Sequence, residues 1–133
     1  MRVDPMSAAQ MTVSEILDKA ANIIEANGLA DGQWYQPTGA KSPLDCPMCT
    51  GGALAAAAGF YPMYASNNEP TGAYADAIGV LAERLGLDPS RHKTAQDVLL
   101  YGIAPWNDVD GRTAEEVVRE LRAAAAEQRK AGR

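Results

Sequence analysis

The chain has 133 residues, a formal net charge of −5, 47% hydrophobic residues and only 6% aromatics. That length builds one core without metal or disulfide staples. The acidic balance argues against binding a phosphate backbone, which requires a basic stripe. No apolar stretch approaches the ~18 residues of a membrane span, and Asp4 and Pro5 interrupt the place of a signal peptide's apolar run. A cytoplasmic protein engaging neither nucleic acid nor membrane is therefore expected. Alanine supplies roughly a fifth of the residues, and its helix propensity and small size favour closely packed helices over a sheet sandwich.

Residues 1–11 lack periodicity and are expected to form a flexible arm. Thr12-Val13-Ser14-Glu15 has capping-box form, and Ile16, Leu17, Ala20, Ile23 and Ile24 repeat at helical spacing until Asn27-Gly28. From Leu29 to Thr50, Gly32, Pro37, Gly39, Pro43 and Pro47 break any long helix. That stretch is expected to be an ordered loop pinned by Trp34 and Tyr35, in which Gln33 to Gln36 is a brief extended segment without an obvious partner, leaving at most a very short strand pair. Gly51 to Gly59 reads as a short buried helix, small on every side. Phe60 to Pro70 is a second loop. A third helix is expected from about Thr71 to Leu85, with Tyr74, Ala77, Ile78, Leu81 and Leu85 on one face and Gly86-Leu87 as its stop. Asp88-Pro89-Ser90 punctuates, and Thr94 starts a short helix carrying Val98, Leu99 and Tyr101, which Gly102 and Pro105 should end. Thr113-Ala114-Glu115-Glu116 opens the last helix with a second capping box, and Val117, Leu121, Ala124 and Ala125 form its inward stripe. The expectation is an all-α compact single-domain bundle of about five helices with two long ordered loops. The helical domain would span 12–127, with a frayed tail at 128–133.

Cys46-Pro47-Met48-Cys49 invites a chemical reading. Two thiols at this spacing before a helix N-terminus resemble a dithiol redox site, where the helix end would lower a thiol pKa. No strand or βαβ frame accompanies them. They are also half of a zinc site, which His92, the only histidine, and a carboxylate such as Asp45 would have to complete. The simplest reading makes them small buried apolar groups, with no cofactor. Asn107-Asp108-Val109-Asp110-Gly111 resembles a calcium loop superficially. Aligning Gly111 with that loop's glycine puts Trp106 and Val117 where ligands belong, so the match fails. A structural role follows instead: Asn107 and Asp108 fold the chain by bonding nearby backbone N–H groups, and Trp106 buries its ring. Arg112, Thr113 and Glu116 belong to the same helix-starting segment. No phosphate loop, nucleophile elbow or catalytic triad is present.

Taken together, the opening helix ending in Asn27-Gly28, Cys49 with Gly52-Ala53-Leu54 and Ala57-Ala58-Gly59, and Trp106-Asn107-Asp108 with Arg112-Thr113 and Glu116-Val117 resemble a family of uncharacterised small proteins of actinobacteria and their phages. The resemblance calls for one cysteine, at Cys49, leaving Cys46 a peculiarity of this chain. It implies no activity; it implies the setting of an accessory protein of phage or mobile-element gene sets. The functional expectation is a non-catalytic protein-binding module whose anchors are the loop aromatics Trp34, Tyr35, Tyr61 and Tyr64. A homo-oligomer is compatible with the sequence. The alternative is a zinc or thiol-redox protein centred on Cys46 and Cys49.

Overall fold

The computed structural model describes residues 11–39, 42–88 and 93–133. Residues 1–10 of the expected arm, the punctuation at Pro89-Ser90, and His92 lie outside them. Helix α1 (Val13–Asn27) begins at the anticipated box: Thr12 Oγ1 accepts the Glu15 N–H at 3.1 Å, and Glu15 Oε1 accepts the Thr12 N–H at 2.8 Å. It ends at Gly28, whose φ of 99° only glycine adopts without strain. Helix α2 (Thr50–Ala57) is buried along its whole length, because alanine and glycine let neighbouring elements close on every side. Helix α3 (Gly72–Arg84) buries Tyr74, Ala77, Ile78 and Leu81 and stops before Gly86.

The fourth helical rod departs from expectation. It starts at Thr94, whose hydroxyl accepts the Asp97 N–H, and runs as α4 (Ala95–Val98), a π-helical segment (Leu99–Ile103) and α5 (Ala104–Asn107). Neither Gly102 nor Pro105 ends it. Within an α-helix, proline lacks the N–H and crowds the carbonyl four residues back. Here the wider π turn, in which the Ala104 N–H bonds the Leu99 carbonyl, relieves that conflict, and Pro105 falls at the start of α5, where a missing N–H is tolerated. Helix α6 (Ala114–Lys130) then follows its capping box. It extends past the expected fraying point, and the turn after it ties back to α1: the Arg133 carbonyl accepts from the Ser14 N–H and hydroxyl.

The described residues thus form five helical rods in one domain, an all-α fold, with no strand beyond two isolated bridges. These bridges join Met48 to Leu29 and to Tyr35, and supply the partner that the extended segment lacked in sequence. Helices α1 and α6 are the principal pair and run antiparallel. Asp18 meets Arg129 and Arg122, and Glu25 meets Arg122, along one flank. Beneath them Ile16, Leu17, Ile24, Leu54, Ile78, Leu81, Leu99, Ile103, Val117 and Leu121 make a single core. No described helix is long and apolar enough to cross a membrane.

Candidate functional site

The residues with chemical potential converge on the N-terminus of α2. The first N–H groups of a helix have no intrahelical partner and must find one elsewhere. Cys49 is the N-cap, and its Sγ accepts the Gly52 N–H at 3.2 Å. The Thr50 N–H donates instead to a distant side chain, Asn107 Oδ1, at 2.8 Å, and the Thr50 hydroxyl donates to the same oxygen at 2.7 Å. Asn107 Nδ2 in turn donates to the Ala30 carbonyl and to Asp108 Oδ1. With two donors facing its oxygen and two acceptors facing its nitrogen, this side chain is fully satisfied although only 2% exposed. Asn107 and Asp108 bond residues 57 to 77 positions away, not the nearby backbone that the sequence suggested.

A loop closes over this junction. The Cys49 N–H donates to the Trp34 carbonyl, the Ala30 N–H to the Met48 carbonyl, and the Gln36 N–H to the Pro47 carbonyl. The approach is close enough that a Cβ on Gly52 would lie 2.3 Å from the Trp34 oxygen, and one on Gly51 would lie 3.0 Å from the Trp34 ring. Two glycines at the head of α2 therefore set the depth at which Trp34 sits. Between loop, α2 and α5 lies an open cavity of about 410 Å³ lined by Gly32, Gln33, Trp34, Cys49, Ala104 and Asp108.

The cysteines behave as buried groups. Both are free thiols. Cys46 Sγ accepts from the Thr38 hydroxyl and donates to the Ser42 carbonyl. Burial pushes the Cys49 thiol up to about 11 against the smaller lowering by the Gly52 and Gly51 N–H groups, and the nearby Asp108 charge adds to the rise. The helix end thus fails to produce the lowered pKa expected of it, because desolvation outweighs it. His92 lies outside the described residues, and among those described no three His, Cys, Asp or Glu side chains gather as a metal site.

The four loop aromatics are not brought together as one exposed surface. Tyr61 is 68% exposed. Trp34, Tyr35 and Tyr64 are half-buried and pack on the core, Tyr64 stacking on Phe60 at 4.2 Å. Trp106 is also half-buried. Its ring carries the Arg112 guanidinium at 4.0 Å, and Arg112 further donates to the Trp106 carbonyl and pairs with Glu116. The Thr113 cap, followed by Arg112, holds the Glu116 carboxyl below its ordinary range.

Sequence reasoning missed a second concavity, of about 570 Å³, beside the π segment. Gly86, Leu87, Asp88, Tyr101, Gly102, Pro105, Trp106 and Val109 line it. Tyr101 and Val109 stand 65% and 53% exposed there. Grouping Tyr101 with Val98 and Leu99 concealed this: the inward stripe is Leu99, Gly102 and Ile103, and Tyr101 lies opposite it.

No curated protein and no solved structure matches the chain. The model of a family of unknown function, DUF6197, covers residues 8–127, and the chain belongs to that family.

Proposed function

We propose that the protein is a non-catalytic binding module, and that the groove along the π segment receives an apolar segment of a partner protein. The observation that carries this reading is the pairing of two exposed large apolar side chains, Tyr101 and Val109, in one concavity floored by Pro105 and Trp106. Exposed apolar groups gathered in a groove mark contact sites far more than scattered ones do. A π turn inside a helix also recurs at functional sites. The net charge of −5 favours a partner segment with basic flanks over a second, equally acidic copy. A cytoplasmic accessory protein of actinobacterial phages or mobile elements, the setting implied by the sequence resemblance, fits this mode of action.

The test is a photo-crosslinking residue introduced at Tyr101 in the native host, with Glu115 as the exposed control position. A discrete adduct with another protein at position 101, absent at 115 and lost with Val109→Asp, supports the proposal. Adducts that match the control, survive Val109→Asp, or contain only a second copy of this chain overturn it.

A further inference from the structure

The cavity at the head of α2 carries an inference independent of the docking groove. We infer that it is a receptor for a cationic head group, alkylammonium or alkylguanidinium, borne on a short apolar stem. Its volume of about 410 Å³ falls in the range of small-ligand sites. Its walls divide by chemistry. Trp34 and Ala104 offer apolar surface, and Asp108 is the one charged side chain lining it.

That carboxylate is aimed and held. Both Gly32 N–H and Asn107 Nδ2 donate to its Oδ1, at 3.0 and 2.9 Å. Asn107 is itself fixed by Thr50 and Ala30. Asp108 is exposed, and among the described residues no donor reaches its Oδ2 and no salt bridge includes it. A held carboxylate without a cationic partner, in a cavity that an aromatic residue also lines, suits a cation on an apolar stem.

An anion fits poorly. The leading N–H groups of α2 are already taken by Asn107 and Cys49, so the helix end has no donor to offer one. The thiol stays neutral at ordinary pH and leaves Asp108 as the cavity's only charge.

Free amines and the basic side chains of a partner share this chemistry, and the experiment separates them. Amide and indole NMR signals of Gly32, Gln33 and Trp34 are followed during titration with n-butylammonium, n-butylguanidinium, neutral n-butanol and anionic butyrate. A short peptide with one arginine among apolar residues, and its citrulline counterpart, form the second arm. Saturable shifts with the cations but not with butanol or butyrate support the inference and identify a free ligand. Shifts with the arginine peptide alone, and not its citrulline form, support it and identify a partner side chain. Asp108→Asn keeps the Oδ1 acceptor and removes the charge, so binding should weaken at least about tenfold while the melting temperature holds. Equal shifts with butanol or butyrate, or no saturable shift in either arm, overturn it. The ligand series on the unaltered protein decides the matter even if the variant folds poorly.

Discussion

Replacing Asn107 by alanine tests the junction that organises the molecule. The side chain makes four hydrogen bonds, at 2.7 to 3.0 Å, to Thr50, Ala30 and Asp108. Its removal strands the Thr50 N–H and the Ala30 carbonyl in positions with no solvent exposure. The Thr50 hydroxyl can rotate to a new acceptor, and Asp108 keeps the Gly32 N–H. Two abandoned buried groups at roughly 1–3 kcal/mol each place the loss near 4 kcal/mol. For a chain of this length that lowers the melting temperature by about 15 °C. Urea unfolding of Asn107→Ala, Thr50→Val and the double variant measures it. The two substitutions should be strongly non-additive, by about 1–3 kcal/mol, because they share one contact. Asn107→Asp should be worse than alanine at neutral pH, since it sets a second carboxylate against the Ala30 carbonyl and Asp108, and it should partly recover in acid. A loss below about 1 kcal/mol for Asn107→Ala, or strict additivity with Thr50→Val, would refute the idea that this side chain caps α2.

Gly52→Ala should cost about 2–3 kcal/mol, as its Cβ meets the Trp34 carbonyl at 2.3 Å, whereas Gly79→Ala, with open space around it on the exposed face of α3, should gain about 0.5–1 kcal/mol from helix propensity; thermal melts of both settle the contrast. Thr113→Ala should lose about 1 kcal/mol through the cap, and Trp106→Ala about 2 kcal/mol, less than a fully buried ring would, because the indole is half-exposed. The depressed Glu116 carboxyl adds stability that is present above the ordinary carboxylate range and lost as pH falls below it; acid melts of Glu116→Gln should show a shallower decline. Cys49, raised from about 9 to about 11, favours the fold below pH 9 and ceases to do so as pH rises through 11. Both thiols should resist Ellman's reagent in the native state and react on unfolding in urea.

Much of the architecture was legible because it rests on local rules. The boxes at Thr12 and Thr113 and the start at Thr94 each depend on residues three apart, and all three are formed. The run at 51–58, glycine and alanine but for Leu54, announced a helix enclosed on every side. What eluded the sequence was contact between distant positions. Nothing around Asn107 names Thr50 or Ala30 as its partners, and nothing in Met48 announces that it bridges two points of the loop. Trp34 and Tyr35 pin their loop to the core as their place in a glycine- and proline-broken stretch suggested, and Tyr64, read as a loop anchor for a partner, covers core as well. Tyr101 shows the reverse: its spacing implied burial and its ring faces solvent.

The π segment at Leu99–Ile103 has a bearing on how this rod came about and how it tolerates change. Each residue of an α-helix advances the phase by about 100°, but residues in the wide turn advance less, so its surplus residue is absorbed locally and the rod keeps its phase on either side. Deleting Leu100 would let the rod wind as an unbroken α-helix with Asn107 still turned toward Thr50 and Ala30. The same excision would leave Asp108 at Gly32. A single codon can thus be lost within the wide turn without unseating either concavity. An excision just after that turn, between Ala104 and Trp106, would instead swing Asn107 by about 100° and lose both together.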